Sequence, residues 1–436
     1  MKGGYRFLRF ARNDRNIAFM IIKNIGELVG IVPEGVLRKQ GAEMAETGVL
    51  KDAWLAIEDG KIAGFGKMAD LVGHDAPSVI PGSDRESLDA EGGMVMPTFC
   101  DSHTHIVYAG SRDGEFLDKI NGLSYEEIAA RGGGILNSAD LLHETSEDEL
   151  YRQSMERVRE MMAKGTGAIE IKSGYGLNPA DELKILRVIR RIKETVPALI
   201  KSTFLGAHAV GRGYTHEGYV QAVIDMMPQA AELADFVDVF CDEGFFTVDD
   251  TDRILSASAT CGLRPKIHAN ELAVSGGVQV GVKHGALSVD HLERTTEAEI
   301  DALRGTETMP TMLPGASFFL SMPYGRAKEF IAAGLPLALA SDYNPGSSPS
   351  GDMRFVWALG CIKMRLTPVQ AFNAITINSA YAMGVSDIVG SITPGKIANL
   401  IITKPLRSLT EIPYLHHSPF IEKLMLRGEF FPSNRT

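Results

Sequence analysis

The chain has 436 residues, of which 44% are hydrophobic and 23% charged, and its formal net charge is -11. The length suits one large α/β barrel with a smaller domain. The acidic balance argues against nucleic acid as a partner, because a phosphate-binding surface needs clustered positive charge. No apolar run approaches the ~18 residues of a membrane span, and the four cysteines have no paired spacing. We therefore expect a cytoplasmic protein with reduced thiols and no membrane contact.

The first nineteen residues differ in composition from the rest of the chain. They carry five basic residues and one acidic residue, Asp14. They lack the apolar stretch of a secretory signal, and a strand-like segment, "MIIKNIGELVGI", begins at Met20. We therefore expect residues 1–19 to be an extra, disordered segment, with the natural chain beginning at or near Met20.

Both ends of the chain show short apolar runs separated by turns. In "AWLAIEDGKIAGFGK", Asp-Gly lies between two apolar runs, which is typical of a hairpin. "GSITPGKIANLIITKP" and "IEKLMLRGEFF" have the same character near the C-terminus. We predict that residues 20–95 and 388–436 form one small β-sandwich domain, and that residues 96–387 form a separate barrel.

The middle of the chain alternates apolar strands with helical stretches. Residues 179–196 place apolar side chains near a 3.6-residue period. Eight such strand–helix units over roughly 270 residues match a closed (β/α)8 barrel. The predicted strands are "MVMPTFCDSHTHI", "AIEIKSG", "IKSTFLGAH", "FVDVFCD", "RPKIHAN", "ALSVDHLE", "ETMPTMLPG" and "LPLALASD".

Five histidines and two acidic residues fall at predicted strand ends, where barrel active sites lie. Alternate residues of a strand share a face, so both histidines of "DSHTH" can bind one ion. Taken alone, that pair is as consistent with coincidence as with a metal site. The histidines and acidic residues at the other strand ends favour a metal centre, since imidazole and carboxylate are suitable ligands for Zn²⁺ or a similar ion. The residues are His103, His105, His208, His268, Glu271, His291 and Asp342. The remaining six histidines lie in predicted loops, helices or tails and receive no role.

Several motifs strongly resemble the imidazolonepropionase family of the amidohydrolase superfamily. They are "DSHTHIVYAGSRDGEF", "GLSYEEIAARGGGI", "EIKSGYGL", "FLGAHA", "KIHANE", "SVDHLE" and "ASDYNPGSSPS". The resemblance covers nearly the whole chain from Met20. One departure is "LNSADLLHE" from Leu136, where family members often have Thr-Val-x-x-Thr-Arg, so a contact usually ascribed to that loop is not carried over.

The resemblance implies the same four metal ligands that the strand ends suggest. It also argues for one ion, Zn²⁺ or Fe²⁺, because two-metal relatives need a bridging lysine on strand four, and that strand has none. Lys172, on strand two, is expected to pair with a nearby acid instead. The implied ligands are His103, His105, His268 and Asp342.

The resemblance further implies hydrolysis of 4-imidazolone-5-propanoate to N-formimino-L-glutamate in histidine degradation, by a metal-activated hydroxide. Glu271 would move protons, and His291 would polarise the carbonyl or play a structural role. Asp342 would assist proton transfer. The small anionic substrate would contact Arg112, Tyr125, Tyr175 and His208.

Two alternatives stay open at this point. One is an aminohydrolase of the same superfamily that deaminates a heterocyclic base, and the acidic substrate implied by Arg112 speaks against it. The other is a non-catalytic relative, which should have lost ligands that this chain retains. The resemblance also implies a homodimer.

Overall fold

The computed structural model describes residues 19–72, 86–123, 127 and 133–432. Most of the predicted N-terminal segment, residues 1–18, lies outside the described residues, and the first strand begins at Phe19. The described residues form two eight-stranded sheets with helices. Among the described helices, none is both long and apolar enough to cross a membrane.

The first of these sheets is entirely parallel, and its eight strands lie side by side in chain order. Its neighbouring strands pair in chain order, each connected through helical segments, as the alternating sequence pattern predicts. Its strands are β6 (Phe99–Asp101), β7 (Thr166–Lys172), β8 (Leu199–Ala207), β9 (Phe236–Cys241), β10 (Arg264–Ala269), β11 (Ser288–His291), β12 (Met309–Met312) and β13 (Ala338–Leu339).

Backbone contacts beyond the ends of β6 and β13 close this sheet. Asp342 N donates to His103 O at 3.0 Å, and His105 N donates to Tyr343 O at 2.9 Å. Thr104 and Tyr343 form an isolated parallel bridge. The predicted (β/α)8 barrel is confirmed, and its seam brings residues 103–105 beside Asp342.

The first predicted barrel strand proves to be two strands. Residues Met94–Pro97 form β5, which belongs to the other sheet, and only Phe99–Asp101 belong to the barrel. The chain changes sheets at Thr98, whose N–H donates to Asn399 O. Continuous apolar character concealed this break, because both strands are buried on both sides.

The second sheet is built from both chain ends, as predicted. β5 lies between β1 and the C-terminal β14, and the order is β16-β15-β14-β5-β1-β2-β3, with β4 on β1. Buried side chains from both chain ends form one apolar cluster in this sheet. The other strands are β1 (Phe19–Ile31), β2 (Gly48–Glu58), β3 (Lys61–Lys67), β4 (Glu86–Asp89), β14 (Leu400–Thr403), β15 (Ile421–Leu426) and β16 (Glu429–Phe431). The domain limits 20–95, 96–387 and 388–436 stay a prediction.

The helices begin with local sequence features that stabilise their first turn. The helix Pro179–Thr195 has proline at its start, and the Asn178 side chain caps the N–H of Asp181. The stretch that departs from the family pattern folds as a helix, Ile135–Glu144. The helices are α1 (Met68–Val72), α2 (Asp113–Ile120), α3 (Ile135–Glu144), α4 (Glu147–Ala163), α5 (Pro179–Thr195), α6 (His216–Ala231), α7 (Val248–Thr260), α8 (Gly277–Lys283), α9 (Glu297–Leu303), α10 (Pro314–Leu320), α11 (Ala327–Ala332), α12 (Met353–Ile362), α13 (Pro368–Ala374), α14 (Ile377–Ala382) and α15 (Glu411–Tyr414), with a 3₁₀ helix at Gly41–Ala45.

Candidate active site

Three histidines meet with their outer ring nitrogens at the carboxyl end of the barrel. His105 Nε2 lies 3.2 Å from His103 Nε2 and 3.4 Å from His268 Nε2. Asp342 Oδ1 completes the group, 3.7 Å from His103 Nε2 and 3.5 Å from His105 Nε2. All four residues are at most 2% exposed. The four predicted ligands therefore converge on one small buried volume.

The opposite edges of two of these rings face carboxylates. His103 Nδ1 lies 2.6 Å from Asp290 Oδ2. His268 Nδ1 lies 3.0 Å from Asp238 Oδ2, although at an angle outside ordinary hydrogen-bond geometry. A carboxylate at Nδ1 favours the proton there, which leaves the lone pair on Nε2. The Nε2 atoms of His103 and His268 thus direct lone pairs at the shared volume.

Burial keeps these rings uncharged. It lowers the pKa of His103 and His105 well below the ordinary histidine value, and it lowers that of His268 to about 3 despite the opposing charge of Asp238. The Nε2 lone pairs of His103 and His268 lie 3.2 and 3.4 Å from His105 Nε2, and a cation among the three nitrogens would bind all of them. The residues present therefore fit a divalent metal ion bound by nitrogen and carboxylate oxygen.

A network of five fully buried charges lies below the histidines. Lys172 Nζ lies 2.7 Å from both Glu170 Oε1 and Asp238 Oδ2, and 3.6 Å from Asp290 Oδ2. Lys266 Nζ contacts Glu170 Oε2 and lies 4.0 Å from Asp290 Oδ2. Each of these five side chains is 0% exposed. Lys172 thus pairs with acids, as predicted, and the network fixes both carboxylates that face the histidines.

The charge of this network favours a cation at the histidines. With all groups ionised, two lysines face three carboxylates, so one negative charge is left over, and Asp342 adds another beside the ring nitrogens. In a low-dielectric interior such an excess is costly unless an opposite charge lies close by. A divalent cation at the shared volume supplies that charge.

A second set of titratable side chains, formed by His291, Glu271 and Glu293, lies beside the histidine cluster. His291 Nε2 is 3.6 Å from Glu271 Oε2, and His291 Nδ1 is 3.4 Å from Glu293 Oε2. Burial raises the pKa of Glu271 to about 7. The two glutamates raise the pKa of His291 well above its usual value, although burial opposes this. His291 also has a φ of 82°, which is strained for a residue with a Cβ and marks a position held by its surroundings.

Asp242, at the end of β9, holds the backbone that carries Glu271. Its Oδ2 accepts from the N–H groups of Glu271 and Leu272 at 2.7 and 3.0 Å, and its Oδ1 accepts from Ala273 N at 3.1 Å. The preceding residue, Asn270, has a φ of 59°. The turn after β10 is thus fixed from the neighbouring strand, so the position of Glu271 is set by the barrel.

Two of the predicted substrate contacts lie beside the histidine cluster. The His208 ring stacks on His105 with centroids 5.3 Å apart, and the Tyr175 ring lies 6.1 Å from that of His105. Burial, together with the charges of His291 and Arg112, lowers the pKa of His208 to about 4. Arg112 itself is bound to Glu115. Tyr125 lies outside the described residues.

The sequence prediction missed the residues that support this cluster. Asp238, Asp290, Glu170 and Lys266 are charged, fully buried residues within the barrel strands. The sequence does show a charged residue within each of the strands concerned, and a charge in a buried strand indicates a partner, because buried charges are rare unless they are paired. The identity of the partners could not be predicted, since apart from Glu170 and Lys172, which share β7, the pairs join different strands.

Comparisons with known proteins agree on the family and the fold. The model of the amidohydrolase family matches residues 94–430. An imidazolonepropionase of Flavobacterium johnsoniae is 55% identical over 414 residues, covering 94% of this chain and 99% of the relative. An imidazolonepropionase of Geobacillus kaustophilus is 39% identical over 388 residues, with 88% and 91% covered.

Solved structures share the architecture at low sequence identity. An adenosine deaminase from Xanthomonas campestris with bound zinc matches with a TM-score of 0.68 at 16% identity, covering 94% of this chain and 92% of that one. A guanine deaminase from C. acetobutylicum matches with a TM-score of 0.67 at 15% identity, covering 95% and 100%. At such identities the likeness concerns the fold alone.

The buried charge network predicts an unequal response to the loss of lysines. Lys172→Met leaves Glu170 and Asp238 without their shared cation, so the free energy of unfolding should fall by about 3–5 kcal/mol. Lys283→Met, at an ion pair on the surface, should change it little. Urea unfolding of both variants measures the difference, and equal stability of the two would contradict the assigned role of the network.

Proposed function

Because the chain belongs to the amidohydrolase family, and within it to the imidazolonepropionases, we propose that its buried histidine cluster is the catalytic centre. The protein hydrolyses 4-imidazolone-5-propanoate to N-formimino-L-glutamate, a step of histidine degradation. Water is added across a carbon–nitrogen bond of the cyclic amide, and the ring opens. One observation carries the assignment to this cluster: three imidazole Nε2 atoms and one carboxylate oxygen converge beside a Glu271–His291 pair.

The proposed cofactor is one divalent ion, Zn²⁺ or Fe²⁺, held by His103, His105, His268 and Asp342. The donor set and the inward lone pairs support it. A single ion is proposed because β9 carries no lysine to bridge a second one, and Lys172 is engaged by carboxylates. When bound, the ion would lower the pKa of a water ligand to near neutral and would polarise a carbonyl.

Glu271 is the proposed proton carrier. Its carboxylate would take a proton from the attacking water and deliver it to the ring nitrogen that leaves. Two features support this role: its backbone is held by Asp242, and its pKa of about 7 suits a group that gains and loses a proton near neutral pH. Asp342 is proposed to assist this transfer in addition to binding the ion.

His291 is the proposed donor to the carbonyl oxygen of the substrate. It lies between Glu271 and Glu293, and both carboxylates favour its protonated form. A charged donor already in place stabilises the oxyanion that develops as the amide is attacked. The strained backbone at His291 supports a functional rather than a merely structural role.

The propanoate group needs a cationic partner, and Arg112 is the proposed one. A planar guanidinium suits a carboxylate, and its charge already acts on His208. Tyr175 and His208 would line the path between that anion site and the ion, with Tyr125 as a further proposed contact. The homodimer and the cytoplasmic location are likewise proposals that rest on the family. No observation favours a deaminase, because the deaminase likeness is limited to the fold.

The metal assignment makes a direct prediction. Purified protein should hold about one equivalent of Zn²⁺ or Fe²⁺, and His268→Ala should greatly reduce it. Asp290→Asn should weaken binding by about 10- to 100-fold, because a neutral amide replaces the carboxylate that faces His103 Nδ1. Competition with a chromogenic chelator measures the affinity, and His417→Ala, at an exposed residue, is the control. Two tightly bound ions per chain would exclude the single-ion site.

Replacing the proton carrier separates chemistry from binding. Glu271→Gln should keep the fold and the metal but lose about 10²- to 10⁴-fold in kcat, which is the range that proton transfer typically contributes. Glu243→Gln, at an exposed residue next to Asp242 in the chain, should behave like the wild type. Steady-state kinetics with metal analysis decide the matter, and near-normal turnover by a metal-loaded Glu271→Gln protein would rule out this role.

Replacing Arg112, the proposed partner of the substrate carboxylate, should weaken substrate binding more than it slows the reaction. Arg112→Ala should raise KM about 10- to 100-fold, more than it lowers kcat, since a charge-assisted contact contributes roughly 1.5–3 kcal/mol. Arg112→Lys should recover part of this loss, because an ammonium cannot reproduce the planar fork. Arg212→Ala, at an exposed ion pair, is the control. An unchanged KM with a collapsed kcat would move Arg112 to the reacting centre.

A further inference from the structure

Arg112 is bound by a protein carboxylate. Glu115 Oε2 accepts from Arg112 Nε at 2.9 Å and from Arg112 Nη2 at 2.5 Å. The two side chains are only 11% and 10% exposed. A buried ion pair contributes little net stability, because desolvation opposes the attraction. What such a pair does provide is a fixed direction for the planar guanidinium.

The other oxygen of Glu115 connects two helices. Oε1 accepts from Gly134 N at 2.9 Å, and Gly134 precedes helix α3 with a φ of 84°. Hydrogen bonds from Arg112 and Gly134 hold the pKa of Glu115 below its usual value, although burial opposes this. The carboxylate is therefore ionised, and it joins helix α2, which carries Glu115 and directly follows Arg112, to the residue that precedes α3.

The guanidinium is confined on its other side by a backbone segment that follows Asp342. A Cβ added at Gly346 would lie 2.3 Å from Arg112 Nη1. The loop itself is fixed, because Asn344 Oδ1 accepts from Gly346 N at 2.8 Å, and Asn344 Nδ2 donates to Asp342 O at 2.7 Å. Arg112 thus lies between Glu115 and a loop anchored at a residue of the histidine cluster.

A second cation lies at the same place. Lys119, on the last turn of α2, donates from Nζ to Gly346 O at 2.8 Å. Burial lowers its pKa, and the charge of Arg112 lowers it further, so the two cations are near each other. The charge of Glu115 acts on both cations. An incoming carboxylate would therefore meet Lys119 as well as Arg112.

We propose that Glu115 is a positioning residue for substrate binding, which aims Arg112 and sets the distance between the substrate carboxylate and the histidine cluster. This inference rests on the proposed function, because it requires Arg112 to bind the propanoate. Glu115 acts through Arg112 and does not touch the substrate. The competing explanation is that the pair only stabilises helix α2, as i,i+3 pairs on helix surfaces do.

A double-mutant cycle distinguishes the two explanations. Glu115→Gln keeps the size and the acceptor for Gly134 but removes the charge that holds Arg112. It should raise KM about tenfold and leave kcat within about twofold. In an Arg112→Ala background the same change should alter KM less than twofold, because the residue it acts through is gone. Glu149→Gln, which breaks an exposed i,i+3 pair on α4, should leave KM unchanged.

A second variant tests the same geometry without touching Glu115. Gly346→Ala should displace the guanidinium and raise KM in the same way, with kcat retained. Calorimetric binding of imidazole-4-propanoate, which has the carboxylate but no ring carbonyl, should weaken in parallel for both variants. The prediction therefore remains testable if Glu115→Gln fails to fold.

The outcomes separate this inference from the proposed function. If Arg112→Ala raises KM but Glu115→Gln and Gly346→Ala do not, the positioning role is overturned and the anion site stands. An equal rise in KM for Glu115→Gln with and without Arg112 also overturns it. If Arg112→Ala leaves KM unchanged, the anion site itself is wrong, and the role of Glu115 falls with it.

Discussion

The buried ion network of Lys172, Lys266, Glu170, Asp238 and Asp290 is the constraint on which the site depends. These side chains fill the barrel interior where apolar residues would pack at lower electrostatic cost. Each carboxylate is held by a lysine from another strand, so none can turn away without leaving a charge unpaired. His103 and His268 are fixed in turn, because their Nδ1 atoms face Asp290 and Asp238. A rigid cluster of this kind binds an ion without first paying for its own reorganisation.

The contacts that close the barrel connect the histidine cluster to the loop beside Arg112, the proposed partner of the substrate carboxylate. Contacts between residues 101–105 and 341–343 close the sheet and place Asp342 against the two histidines of "DSHTH". The loop that continues from Asp342 reaches Gly346, beside Arg112. Helix α2 brings Arg112 and Glu115 to the same loop. The reacting centre and the anion site are thus separated by a short run of fixed backbone, so a substrate bound at one end is presented to the other at a set distance.

Much of the fold and the main cluster could be predicted from the sequence, because both rest on local patterns. The structure has the predicted alternation of strands with helices. It also places His103 and His105 side by side, as their period-2 spacing predicts. The break at Thr98 could not be predicted, since two buried strands of different sheets have the same apolar character. Neither could the pairing of Asp290 with His103, which joins residues 187 positions apart. The helix at Ile135–Glu144 could not be predicted, because it follows Gly134, which has no side chain to cap the first turn and so gives no start signal.

The central claim is that the histidine cluster opens the cyclic amide of 4-imidazolone-5-propanoate with the help of one metal ion. The most direct test adds Zn²⁺ or Fe²⁺ stepwise to chelator-treated protein and follows loss of freshly generated substrate by its ultraviolet absorbance, with ammonia assayed in parallel. The account predicts that turnover rises with metal to a plateau at about one equivalent per chain, that N-formimino-L-glutamate forms, and that no ammonia is released. Stoichiometric ammonia release, a plateau at two equivalents, or no turnover at any metal content would contradict it.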